Sequence, residues 1–117
     1  MNLEQLAEFE IGSQHIQCVE RLADTLLLGT YDNWIIGVNA ITYQVKQSIK
    51  TQFTPFSICL KDRKTFVVGE RFGTVEVFEM EENWFKRIKV QSFGSSIHKV
   101  LSVGNCFAFA MSDFQGV

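Results

Sequence analysis

The 117-residue chain is 46% hydrophobic and 21% charged, the balance of a folded globular protein, which excludes an intrinsically disordered one. With a formal charge of −2 and Lys86, Arg87 and Lys89 as its densest basic cluster, it lacks the electrostatic footprint of direct nucleic-acid binding. No apolar run approaches the roughly 18 residues of a membrane helix, and MNLEQLAEFE is acidic where a signal peptide is basic, so an intracellular protein (cytoplasmic or nuclear) without membrane contact is expected.

Along the chain, helical periodicity is confined to one possible turn at Leu3 to Leu6. From Ala7 onward, apolar Ala7, Phe9 and Ile11 alternate with Glu8 and Glu10, the period of a half-buried strand. That reading gives a first strand at 5–11 and others at 15–20, 25–30, 34–39, 42–49, 56–60, 64–69, 73–79, 84–91, 97–102 and 106–111. Gly12-Ser13, Ala23-Asp24, Tyr31-Asp32-Asn33, Thr54-Pro55, Asp62-Arg63, Arg71-Phe72-Gly73, Glu81-Glu82-Asn83, Gly94-Ser95-Ser96 and Gly104-Asn105 supply the turns between them. Eleven Phe and frequent Val, Ile and Thr agree with strand. Short, evenly spaced strands predict an all-β sandwich, barrel or propeller.

Internal repetition favours the last. Thr25-Leu26-Leu27-Leu28-Gly29 matches Thr65-Phe66-Val67-Val68-Gly69 at an offset of 40, and Cys106-Phe107-Ala108-Phe109-Ala110 follows at 41. Before each run stands another matching strand: Ile16-Gln17-Cys18-Val19, Phe56-Ser57-Ile58-Cys59 and Ile97-His98-Lys99-Val100. The junctions keep the period as well, since Phe53 and Phe93 lie 40 apart. A unit of about 40 residues with four short antiparallel strands corresponds to one propeller blade. A lone four-stranded sheet leaves both faces wet, and stacking blades covers them. This accounts for second strands that are apolar on both sides, LLLG, FVVG and FAFA. Cys18, Cys59 and Cys106 each fall inside such apolar runs, with no C-x-x-C pair, and are read as reduced thiols acting as small hydrophobes.

The unit TFVVGERFGTVEVFEM resembles the second and third strands of a WD-repeat blade. In that family an apolar strand leads through a turn into a pattern like G-T-V-x-V-W-D. Gly73-Thr74-Val75-Glu76-Val77-Phe78-Glu79 fits it with Phe-Glu for Trp-Asp, and Asn33-Trp34-Ile35-Ile36-Gly37-Val38-Asn39 occupies the slot in the first unit. Met111-Ser112-Asp113-Phe114-Gln115-Gly116-Val117 resembles the same turn in the third. The resemblance implies consecutive four-stranded antiparallel blades of a WD-like β-propeller in an incomplete ring. Residues 5–11 would be the outer strand of a preceding blade, 14–50 one blade, 56–91 a second, and 97–117 the first strands of a further one. A ring needs about four to eight blades, so the chain is expected to belong to a longer propeller or to close through other copies or partners. The family's Gly-His pair stands here as Gly12-Ser13 and Gly94-Ser95, without the His. Its buried Asp–His–Ser/Thr–Trp network is therefore not expected, and blade stability is expected to rest on apolar packing.

No catalytic, metal-binding or cofactor-binding constellation emerges. There is no H-x-x-x-H, no paired Cys or His, no phosphate-cradling Gly loop and no G-x-S-x-G. Gly94-Ser95-Ser96 falls at a repeat junction and reads as a turn. The resemblance implies recognition by loops, at 12–15, 30–34, 51–55, 70–73, 92–96 and 111–115. Within them Tyr31, Trp34, Arg71, Phe72 and Phe114 are residue types enriched at binding hot spots. The other reading of Phe72 and Phe114 folds them over the blade edge, and that of Trp34 packs it between blades. The expected function is a protein–protein interaction scaffold without catalysis of its own, with other proteins, other copies or further propeller blades as partners. Two alternatives remain: part of a propeller hydrolase whose catalytic residues lie on blades absent from this chain, and a self-contained small β-barrel or sandwich.

Overall fold

Alternating apolar residues bounded by turn formers become ten strands in the computed structural model, which describes residues 15–82, 84–94, 97–103 and 106–111. Strands β1 (Ile16–Leu22), β2 (Thr25–Thr30), β3 (Trp34–Asn39) and β4 (Val45–Lys50) form one antiparallel sheet in sequence order. A second sheet repeats that order with β5 (Pro55–Leu60), β6 (Thr65–Glu70), β7 (Thr74–Glu81) and β8 (Trp84–Ser92). The last pair, β9 (Ile97–Val103) and β10 (Cys106–Met111), is a two-stranded sheet among the described residues. The strand at 5–11, the turn at Gly12-Ser13 and Phe114 lie outside the described residues.

The repetition extends to irregularities. Register slips at Ile16/Cys18 in β1 and at Pro55/Ser57 in β5, and again at Gly37/Val38 in β3 and Val77/Phe78 in β7. Each bulge re-aims the side chains beyond it and adds twist. Because β1 lies against β5 and β5 against β9 while β4 and β8 barely touch, the sheets fan out from their first strands. These separate sheets, stacked face to face, are not a barrel or a two-sheet sandwich.

The second strands of the two four-stranded sheets, β2 and β6, have no wet side. Leu27, Phe66 and Val68 face the space between the first two sheets, while Leu28 and Val67 face the opposite ways, and all are buried. The space between the sheets is filled by Leu22, Leu27, Ile35, Ile58, Phe66, Val68, Phe78 and Phe85. Phe66 and Phe78 stack with ring centroids 5.1 Å apart, and Phe85 meets both edge-on. Gln47 on β4 adds a polar clamp: its Nε2 donates to the Phe85 carbonyl and its Oε1 accepts the Phe85 N–H, each at 2.7 Å.

One strand starts later than its β-branched and aromatic residues predict. Instead of strand from 42, residues 40–44 form a turn, because Asn39 Oδ1 accepts the N–H groups of Ile41 (2.8 Å) and Thr42 (2.9 Å). Side-chain capture of this kind competes with the strand ladder, and it leaves Tyr43 in left-handed backbone at φ 61°.

Candidate partner-binding face

Antiparallel order sends every second connection to the same edge of the fan. The loops at 31–33, 51–54, 71–73 and 93–94 therefore share what we term the upper edge, and those at 23–24, 40–44, 61–64 and 82 the lower one. Backbone bonds knit the upper loops together. Tyr31 N–H donates to the His15 carbonyl (2.8 Å), Thr51 N–H to Asn33 (2.9 Å), Arg71 N–H to Thr54 (2.9 Å) and Phe93 N–H to Gly73 (2.7 Å). The Thr54 hydroxyl, 3.0 Å from both the Tyr31 carbonyl and Asn33 Oδ1, ties the linker between the sheets to the first sheet's corner.

The two corners are built differently. At the first, Thr30 Oγ1 donates to Asp32 (2.7 Å) and accepts the Trp34 N–H (3.1 Å). At the second, Arg71–Gly73 forms a single 3-10 turn, with Phe72 at φ 66° and Gly73 at φ 86°. Phe72 packs edge-on against Phe53 at 5.2 Å between centroids, and the Arg71 guanidinium lies 4.9 Å from the Phe72 ring.

Of the residues singled out from sequence, Tyr31 and Phe72 are each 55% exposed, and Arg71 is exposed beside Phe72. Trp34 is half-buried on the face of the first sheet turned away from the second, against Leu28, Ile36 and Val38. The Lys50 ammonium caps its ring at 4.9 Å. Trp34 thus does not sit between the two described four-stranded sheets. Phe53 and Phe93 join the upper edge without having been singled out. Their sequence signals were the shared 40-residue spacing at repeat junctions and their places in the loops at 51–55 and 92–96.

Beneath this edge lies a feature that purely apolar packing does not anticipate. Glu70, at the end of β6, and Glu76, on β7, are both fully buried. Glu76 Oε1 pairs with Arg87 Nε, and Glu76 Oε2 accepts the Gln52 N–H at 2.8 Å. Glu70 Oε1 accepts the Phe53 N–H at 3.2 Å. Burial first, then the adjoining Glu76 carboxyl, hold the Glu70 carboxyl well above the ordinary range, against the opposing pull of the Phe53 amide and Arg87. Arg87 also donates to the Lys50 carbonyl and lies 5.4 Å from the Phe78 ring, so it joins the second sheet to the end of the first. Nearby, burial pushes the Cys18 thiol up to about 12, and no disulfide forms with Cys59.

Two other surfaces carry apolar groups. On the lower edge Ile41, Tyr43 and Trp84 are exposed. On the outer half of the second sheet, a groove of about 660 Å³ is lined by Val67, Val75, Val77, Ile88, Lys89 and Phe93, among others. Among the described residues no three His, Cys, Asp or Glu side chains gather as metal ligands, and no helix is long and apolar enough to cross a membrane.

Stacked four-stranded sheets, fanned from their first strands and repeating their bulges, are consecutive blades of a β-propeller; the described blades do not close a ring. A solved relative in shape is the β-propeller domain of Cps50 (Swd1) from Myceliophteria thermophila, with a TM-score of 0.71 and 18% identity over 84% of this chain. The chain covers 33% of that structure's length. No protein-family model and no curated protein matches the sequence.

Proposed function

We propose that this chain is a protein–protein interaction scaffold whose upper edge, centred on Phe72 with Tyr31, Phe53, Arg71 and Phe93, engages a polypeptide partner, and that it has no catalytic activity of its own. The observation that carries this reading is the conformation of Phe72. Left-handed backbone costs a non-glycine residue about 1–2 kcal/mol. The edge-on contact with Phe53 returns about 0.5–1.5 kcal/mol. That contact is of the same order as the backbone cost, and an exposed, partly immobilised aromatic ring beside a guanidinium is a suitable anchor for a partner. Tyr43, on the lower edge, is also left-handed and exposed, but Asn39 dictates its turn and no aromatic contact gathers around it among the described residues. A benzophenone side chain placed at position 72 of the full chain, expressed in cells, is expected to yield a discrete polypeptide adduct. The same group at position 43 is expected to yield none. Absence of an adduct at 72, or equal adducts at both positions, would overturn the proposal.

A further inference from the structure

Two buried carboxyl groups face a single guanidinium at the joint between the blades. We infer that Glu70 and Glu76 share one proton, carried by Glu70, and that the pair in this state anchors the 51–54 linker that sets Phe53 against Phe72. The assignment to Glu70 follows from the hydrogen bonds. Both Glu76 oxygens are occupied by donors, Arg87 Nε on one and the Gln52 N–H on the other. Glu70 Oε1 has the Phe53 N–H, but its fully buried Oε2 receives no donor among the described residues. An ionised Glu70 would leave that oxygen bare beside a second carboxylate. As an acid, the same oxygen becomes a donor to Glu76, and every polar atom is satisfied.

The charges around the pair agree. From β7 comes Glu76 and from β8 Arg87, while the linker contributes only the N–H groups of Gln52 and Phe53 and β4 only the Lys50 carbonyl. The Lys50 ammonium is turned elsewhere, toward the Asp32 carbonyl (2.8 Å) and the Trp34 ring. Two buried carboxylates beside one partly exposed guanidinium retain a net negative charge, and binding one proton removes it.

The linkage has a definite sign. Below the ordinary carboxyl value of 4.5, folded and unfolded chains both hold the Glu70 proton. Above it the unfolded chain releases the proton and the folded chain keeps it, so stability falls as pH rises until the folded pair itself ionises. Over that window the pair raises the unfolding equilibrium constant by up to about tenfold per pH unit. Only the consequence for the Phe53–Phe72 contact as a docking element rests on the proposed function; the shared proton does not.

The test is a carboxyl-carbon NMR titration of the full chain, paired with stability measurements of Glu70→Gln, which keeps both a donor for Glu76 and an acceptor for the Phe53 N–H. At neutral pH the Glu70 carbon is expected at the shift of a protonated acid. Relative to Glu70→Gln, the unmodified chain is expected to lose stability progressively on the alkaline side of 4.5. A Glu70 carbon that titrates at its ordinary value, or parallel pH profiles for the two proteins, would overturn the inference. The titration needs no variant, so it decides even if Glu70→Gln fails to fold. It also needs no partner, so a failed cross-link at position 72 leaves it standing.

Discussion

The two faces of the second blade meet their neighbours in different ways. Toward the first blade, four strands lie over four, with three interlocked Phe rings, the Gln47 clamp and the Glu70–Glu76–Arg87 joint. Toward the third sheet, β9 alone supplies the described packing: Ile97 and Val100 against Val67 and Val75, plus the Val100 N–H on buried Ser57 Oγ at 3.1 Å. Beyond them the outer half of that face opens into the groove at Val77 and Ile88. The contrast shows what a blade requires of its partner. Inner strands dock on aliphatic contacts, while outer strands, which splay apart, use larger rings and backbone-directed polar groups to span the widening gap. At the repeat position of Gly37 and Gln47, where Phe85 inserts in the first interface, the second blade carries Val77 and Lys89.

The largest effect should come from emptying the first interface. Phe78→Ala removes a fully buried ring touching both Phe66 and Phe85, and a loss of about 3–5 kcal/mol is expected in denaturant unfolding. If the two faces contributed alike, the loss would be no greater than for trimming an aliphatic residue such as Val75.

A smaller and more local effect should follow from crowding the second interface. A Cβ at Gly69 would lie 2.4 Å from Ile97 Cγ2 and 2.8 Å from Val100 Cγ2. Both neighbours are β-branched and cannot swing aside. Gly69→Ala is expected to cost about 1–3 kcal/mol and to raise amide exchange in β9 while leaving β1 to β4 protected. A uniform rise across all strands would mean that the interfaces are coupled more tightly than their separate packing indicates.

Much of this architecture was legible in the residues. Alternation and turn formers placed nearly every described strand within a few residues, and the 40-residue repeat announced stacked sheets. Part of what escaped has a plain physical cause: the alternation rule assumes one wet face. Glu76, between Val75 and Val77, reads as a solvent-facing residue, yet β7 lies between neighbours on both sides and Glu76 is fully buried. Its partners arrive from the turn before it and from β8, a meeting that only the topology creates. Phe53 was visible as a periodic marker, but its contact with Phe72 depends on a linker held down by the two carboxyls. The strand expected from 42 gave way to Asn39, whose side chain competes for backbone donors that a pattern of apolar residues does not register.

The smallest effect isolates the open half of the second blade's face. Ile88 is the extra residue of the β8 bulge, since Arg87 pairs with Phe78 and Lys89 with Val77. It is 49% exposed on the groove wall. A half-exposed side chain without a neighbour across from it among the described residues contributes little, so Ile88→Ser is expected to shift stability by no more than about 0.5 kcal/mol. The same change made at Ile35, fully buried in the first interface, should be severe by comparison. The pair of measurements therefore reads occupancy directly. A cost above about 1 kcal/mol at Ile88 would mean that apolar atoms cover the groove in solution, and that the two faces of the blade are more alike than their described contacts.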